Sequence, residues 1–286
     1  VVKLLAQRGD QVRVAVRNPQ AALFLKSMGD VGQVTPVQAN IRNIGSVHSA
    51  VVGADLVVNL VGILNESGPQ RFPVVQTQGA QNVATAAAAA GAQSFVHLSA
   101  IGASQTSPSA YARSKAAGEE AVLEAFPRAS ILRPSVVFGP HDQFFNRFAA
   151  LSKFPMPLPV FGCGFPKMTM EGLKIYGDGG TRFQPVYVGD VAQAIIACLE
   201  NAGTNGKIYE LGGPQIYSFC ELMELILLHT RRWRPLIPIP FSIASAMGFF
   251  MGFLPKPILT LDQVRQLAID NVVSDTSLTL GDLGIS

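Results

Sequence analysis

The stretch Ser94-Phe95-Val96-His97-Leu98-Ser99, followed after a polar loop by Tyr111-Ala112-Arg113-Ser114-Lys115-Ala116-Ala117-Gly118-Glu119-Glu120, decides the fold. An apolar run ends in a serine and a strongly helix-forming run opens at the tyrosine, which reads as strand, loop, helix. Tyr111 and Lys115 are four residues apart, so their side chains leave the same helix face. A phenol ordinarily titrates at about 10, too high for a base near neutrality. A fixed ammonium beside it favours the phenolate and draws it toward acid/base range. Ser99, at the strand end, is placed to hold a carbonyl or hydroxyl. Tyr-x-x-x-Lys is common by chance; its weight comes from standing on a strand–loop–helix with the serine upstream. Tyr111, Lys115 and Ser99 are the candidate catalytic residues.

Working outward, the same alternation repeats. Apolar runs suited to buried parallel strands occupy Val12–Val16, Val34–Gln38, 56–61, Ser94–Leu98 and 129–132, with helical stretches at 19–28, Ile44–Val51, 74–90 and 112–126 between them. Alternating strands and helices predict an α/β protein with a doubly wound parallel sheet, Rossmann-like, with a smaller C-terminal lobe. The first nine residues read as the end of a helix stopped by Gly9 and leading straight into a strand. This predicts a βαβ unit whose first strand and turn, on the order of 10–20 residues, lie upstream of Val1. Residues 1–140 are read as the nucleotide-binding domain and 141–286 as the remaining sheet elements and a small lobe, intertwined with the first.

Composition narrows the partners. Only 14% of residues are charged, against about 25% in ordinary soluble domains, which points to burial, a partner surface or a membrane surface. A net charge of +3 is too small to argue for nucleic acid. The three cysteines form no C-x-x-C and the four histidines have no ligand spacing, so neither a disulfide framework nor a metal site is expected.

In such a sheet the ligand crevice lies at the carboxyl ends of the strands. The first strand ends in Arg17, with Arg13 within it. An acid there takes a ribose diol, whereas an arginine suits a 2′-phosphate, so Arg17 and Arg13 favour NADP(H) unless they are ordinary solvated arginines. Asn40 and Ile41 end the second strand, where an adenine amine and face would lie. Gly62 follows the third strand and lets backbone approach a cofactor closely; Asn59 within that strand also fits a simple hydrogen-bonding role. No G-x-G-x-x-G follows a strand, as expected if the first strand lies upstream.

Three segments together resemble the extended or atypical short-chain dehydrogenases: Asn59-Leu60-Val61-Gly62, Tyr111-x-x-x-Lys115, and Ile131-Leu132-Arg133-Pro134-Ser135-Val136-Val137-Phe138-Gly139-Pro140. The run Arg182-Phe183-Gln184-Pro185-Val186-Tyr187-Val188-Gly189-Asp190 is theirs too. With Asp262-Gln263-Val264-Arg265-Gln266-Leu267 and Asp270-Asn271-Val272-Val273 it is similar to one branch, the dehydrogenase-like accessory subunits of respiratory complex I, of the alpha subcomplex subunit nine type. The resemblance implies an NADPH that is structural rather than turned over, NAD(H) being the lesser alternative. It adds Leu60, Val61, Pro134 and Val137 to the cofactor-binding set. It implies docking on peripheral-arm subunits of complex I, peripheral to the inner membrane: the cytoplasmic face in bacteria, the matrix face in mitochondria. Active enzymes of this kind carry a Ser/Thr run after the strand; here Ser99-Ala100-Ile101 leaves alanine or isoleucine in the catalytic slot. An active NADP-dependent reductase or an NAD-dependent sugar-nucleotide epimerase or dehydratase is the alternative.

The second half is quieter. Met168–Gly172 reads as an inserted loop, and Asp190 as a helix N-cap. No charge occurs between Arg234 and Lys256, and 241–254 is apolar for fourteen residues. A bilayer span needs about 20, so this is either a core helix or one lying on a membrane or partner surface. Arg231, Arg232, Arg234 and Lys256 flank it.

Overall fold

The computed structural model describes residues 1–163, 167–169, 172–174, 176–252 and 259–285, the second and third of these by backbone alone. Helix α1 (Val2–Gln7) stops at Gly9, whose φ of 87° is open to glycine, and leads into β1 (Val12–Val16). A 3-10 helix over Gln20–Met28 stands where an α-helix is expected from the pattern. Only Ala22 of this segment is buried, so little packing is available to hold α-helical turns. Next come β2 (Val34–Gln38), α2 (Ile44–Val51), capped by Asn43, and β3 (Leu56–Asn59). The third strand ends two residues before the expected limit because Asn59 Oδ1 accepts from Val61 N (3.1 Å) and turns the backbone out of the ladder. A π-helical turn at Pro73–Gln78 runs into α3 (Gly79–Ala89), and β4 (Ser94–Leu98), α4 (Ala110–Ala125) and β5 (Ser130–Pro134) complete the first half.

The second half contains β6 (Val137–Phe138), α5 (Phe145–Leu151), β7 (Leu158–Phe161), β8 (Lys167–Thr169), β9 (Gly172–Lys174), β10 (Arg182–Phe183) and β11 (Val186–Tyr187). It continues with α6 (Val188–Glu200), β12 (Ile208–Leu211), β13 (Tyr217–Ser218), α7 (Phe219–Thr230), β14 (Leu236–Ile239), α8 (Phe241–Met251) and α9 (Leu261–Leu267). The expected loop around Met168 is an antiparallel β8–β9 pair; its residues 170 and 171 lie outside the described residues, as do 253 and 254 of the apolar run. Asp190 sits in the first turn of α6, whose cap position is Tyr187, so it favours the helix through its charge rather than as an N-cap.

Strands β12, β5, β4 and β3 form one parallel sheet in that order, and β1 pairs with β2, also in parallel. Successive residues of the strands face opposite layers. Phe95 and Ile131 join Ala80, Ala84, Ala87 and Val122 under α2, α3 and α4, while Val96 and Leu132 join Val191, Ala194 and Ile195 of α6. Helix α4 lies close against the π-helical turn because residue 118 is glycine: a Cβ there would come within 2.3 Å of Gln76 O. A separate core, rich in aromatic rings, holds the C-terminal lobe; Phe219 packs edge-on against Phe148 and Phe161. The segment after α9 stitches the lobe to the sheet. Asn271 accepts from Ser135 Oγ and Val136 N and exchanges backbone bonds with Arg182 and Gln184, and Leu278 O accepts from Glu210 N (2.8 Å).

Candidate functional site

Helix α4 carries the tyrosine and the lysine, and its first turn is held from far along the chain. Asp262, in the first turn of α9, accepts from Ser109 Oγ (3.0 Å), Ala110 N (2.6 Å) and Tyr111 N (3.1 Å). A carboxylate is thus fixed at the end of α4 where free N–H groups and the helix dipole favour negative charge.

Tyr111 is buried, its ring edge-on to Phe72 with centroids 5.8 Å apart. Burial pushes its phenol up to about 12. Lys115 is buried as well; its Nζ donates to Leu98 O (3.1 Å), and burial pushes the ammonium down to about 8, opposed by the charge of Glu119. The expectation that Lys115 draws the phenol toward neutrality is therefore corrected. The lysine gives one of its hydrogen bonds to a strand-end carbonyl, and desolvation governs the tyrosine.

Gly62 makes room for the lysine rather than only for a ligand. A Cβ at that position would lie 3.3 Å from Lys115 Nζ and 3.7 Å from Gln76 Oε1. On the adjacent strands Asn59 Nδ2 donates to His97 Nδ1 (3.1 Å). Because Asn59 Oδ1 accepts from Val61 N, the amide orientation is fixed, and the neutral imidazole carries its proton on Nε2. Burial, with the charge of Lys115 adding, holds His97 neutral down to about 3. Gln76 Oε1 and His97 Nε2 are buried without a hydrogen-bond partner among the described residues.

The Ser99 hydroxyl is engaged inside the protein. It donates to Glu119 Oε1, and Arg133 pairs bidentately with the same carboxylate, Nε donating to Oε1 (2.9 Å) and Nη2 to Oε2 (2.6 Å). Ser99 and Glu119 are both buried, so the serine completes a charged network inside the protein. Arg13 is likewise reassigned. Its Nη1 donates to Ala50 O and Val52 O (both 2.8 Å), the carbonyls closing α2, and so caps that helix at the edge opposite the strand carboxyl ends.

The other expected residues lie as follows. Arg17 Nη1 donates to Gln70 Oε1 (3.0 Å), and Arg42 Nη1 reaches the neighbouring Pro69 O (3.4 Å), so two guanidinium groups from the ends of β1 and β2 converge on one loop. Asn40 closes its own turn, its N–H on Ser46 Oγ and its Oδ1 accepting from Arg42 N. Ile41 packs on Gly79, where a Cβ would lie 2.9 Å from its Cγ1. Leu60 and Val61 are exposed beyond β3. Pro134 is buried and accepts from Ile101 N (3.1 Å); Val137 pairs with Val186. The structure thus brings Gly62, Lys115 and the end of β4 together and sets Arg17 beside a different loop. Pattern reading missed Glu119, Arg133, Gln76, Arg42 and the role of Asp262. Glu119, one turn beyond Lys115 on the same face, was within its reach; the rest needed tertiary structure. A pocket of about 370 Å³, lined by Tyr176, Asp178, Arg182, Cys220 and Glu224 among others, belongs to the C-terminal lobe and contains none of these residues.

The model of the NAD dependent epimerase/dehydratase family matches residues 1–212. The chain belongs to this family. It is 38% identical over 297 residues to "NADH dehydrogenase [ubiquinone] 1 alpha subcomplex subunit 9, mitochondrial" of Arabidopsis thaliana, covering all of this chain and 70% of that protein. The mouse protein of the same name is 33% identical over 287 residues, again across all of this chain and 72% of its own length. Among solved structures, a nucleoside-diphosphate-sugar epimerase from Staphylococcus aureus superposes with a TM-score of 0.70 at 16% identity, covering 98% of this chain and 88% of its own. An Escherichia coli NADPH-dependent quinone oxidoreductase complexed with NADPH superposes with a TM-score of 0.65 at 18% identity, covering 94% and 87%. These two show the shared fold. Family membership brings with it NAD(P) binding, and a parallel sheet with its strand carboxyl ends at Gly62, Leu98 and Pro134 is the scaffold for it.

Proposed function

We propose that this chain is an accessory subunit of respiratory complex I that holds NADPH as a structural cofactor. Relatives named as complex I subunits match it from end to end, which supports the assembly. The observation that carries the idle site is the commitment of Ser99 to Glu119, with the phenol of Tyr111 held protonated by burial. A site for proton transfer needs a group poised near the working pH and within reach of substrate, and neither hydroxyl meets that description.

The residues present fit the dinucleotide. Lys115 donates one hydrogen bond to Leu98 O, and its other N–H groups would take the nicotinamide ribose hydroxyls. Arg17 and Arg42 would take a 2′-phosphate, since fork-shaped donors match phosphate oxygens. Asn40 and Ile41 would border the adenine, and Leu60, Val61, Pro134 and Val137 the strand-end floor. When bound, the cofactor would supply hydride chemistry to an enzyme; here it fills and stiffens the crevice.

Docking would be on the peripheral arm, with the chain lying against the inner membrane rather than crossing it. No helix among the described residues is long and apolar enough to cross. A membrane-surface contact through 241–254 fits α8, which exposes Ile243 and Phe250. The experiment is purification of the full-length protein from detergent-solubilised membranes. Co-migration with complex I and release of NADPH on denaturation are expected; a protein that remains soluble and copurifies with no complex I subunit refutes the assignment.

A further inference from the structure

The C-terminal lobe has a cationic, aromatic edge that the nucleotide site does not use. It is built from the turn after α5 and the segment from the end of α7 into β14. Leu228, Met156, Phe154 and Trp233 expose 70%, 64%, 61% and 82% of their surface. The two segments are locked side by side by arginines. Arg232 Nη1 donates to Ala149 O (3.2 Å) and Ser152 Oγ (3.1 Å), and Arg234 donates to Phe154 O (2.8 Å) and Trp233 O (2.7 Å). These partners are neutral, and neither guanidinium forms an ion pair among the described residues. Lys153 and Arg231 add exposed cations. No acidic residue occurs from 143 to 163 or from 225 to 252; the nearest in sequence, Glu224, lies one turn back on α7.

The backbone is shaped for this exposure. Arg231 ends α7 in the left-handed region (φ 53°), which non-glycine residues seldom adopt, and the chain turns there into Arg232-Trp233-Arg234. Large exposed apolar groups mark contact surfaces. An indole among cations of one sign, with no acid in either segment to pair with a partner's lysines or arginines, matches the headgroup layer of a bilayer, where aromatic rings sit at the interface and basic groups meet anionic lipid.

We propose that this edge, residues 151–156 with 228–234, seats on a bilayer surface containing anionic phospholipid. The inference deepens the peripheral-membrane reading above and rests on it, adding a second contact besides 241–254 and a headgroup preference.

Trp233 is the single tryptophan of the sequence; with any tryptophan of the full-length protein outside these residues replaced by phenylalanine, the emission reports this edge. The full-length protein is titrated with vesicles of phosphatidylcholine and with vesicles of phosphatidylcholine mixed with phosphatidylglycerol. A blue shift and protection from a water-soluble quencher are expected on the mixed vesicles only, diminishing as salt is raised. The double substitution Lys153→Glu with Arg231→Glu is expected to weaken vesicle partitioning at least about ten-fold. Phe154→Ser, at an exposed position where folding is not at stake, is expected to reduce the blue shift. An unmoved Trp233 emission on anionic vesicles overturns the proposal, including when the protein sediments with them through another surface. So does equal binding to neutral vesicles, or a shift elicited by soluble complex I subunits and not by lipid. Copurification with complex I alongside any of these leaves the accessory-subunit reading standing; loss of copurification with the shift intact removes that reading alone.

Discussion

Asp262→Ala should destabilise the protein from a position more than a hundred and fifty residues from the helix start it serves. The carboxylate accepts from two backbone N–H groups of α4 and from its cap hydroxyl, at 2.6, 3.1 and 3.0 Å. Hydrogen bonds to a charged group contribute about 1.5–3 kcal/mol each when isolated, and an acid at a helix start adds about 0.3–1 kcal/mol. Because one group makes all three bonds they are not additive, and the expected loss is about 3 kcal/mol, consistent with the upper range for helix caps plus a charge. For a chain of this size that corresponds to a fall in Tm of about 6–12 °C. Asp262→Asn keeps an acceptor and gives up the charge, so it should lose only about 1 kcal/mol. Urea unfolding followed by circular dichroism measures both. A loss below about 0.5 kcal/mol for the alanine variant, or equal losses for both variants, would refute the idea that this carboxylate anchors α4.

Other outcomes follow from the same geometry. Glu119→Ala leaves the buried Ser99 hydroxyl without its acceptor and Arg133 with Glu210 alone (3.6 Å), and should cost about 2–3 kcal/mol in denaturant unfolding; a near-neutral effect would show that the network is not structural. The folded pKa of Lys115 lies below its unfolded value, so the folded state binds fewer protons between about 8 and 10.5 and its stability rises with pH across that window. Lys115→Met should therefore stabilise the cofactor-free protein on the order of 2 kcal/mol near pH 7, with the difference shrinking above pH 8; urea titrations at both pH values decide it. The difference in phenolate absorbance between the parent protein and Tyr111→Phe should show Tyr111 unionised until about pH 12 in the cofactor-free state, and a phenolate signal from it near neutrality would restore the tyrosine as a working base. Arg17→Ala should weaken NADPH binding about ten-fold with NADH little changed; equal affinities in the parent protein would remove the phosphate role.

Much of the architecture was legible because strands and helices announce themselves by period. Val12–Val16, Val34–Gln38 and Ser94–Leu98 appear at the expected limits, and the Ala-rich helix ends as expected before Gly91 but begins at Gly79, after a π-helical turn over Pro73–Gln78, rather than at residue 74. The limits that moved did so through polar side chains: Asn59 turned its strand off early, and a segment burying only Ala22 settled as a 3-10 helix. Site residues were harder. A sequence places Ser99 at a strand end but does not say that Glu119 and Arg133 lie beneath it, and it places Arg13 on a strand without showing the α2 carbonyls in reach. Residue type and local position are written in the chain; the partner that claims each hydrogen bond is a tertiary fact. Asp262 shows this most clearly, since its segment was notable as a motif while its function required α4 to be seen above it.

The most direct test of a held, idle cofactor is analysis of the nucleotide released from the natively purified full-length protein. The account predicts stoichiometric NADPH that stays reduced when quinone is added and that is lost in Lys115→Ala with the fold intact. A protein carrying no nucleotide, or one whose bound NADPH is oxidised by quinone at the rate of turnover, would contradict it.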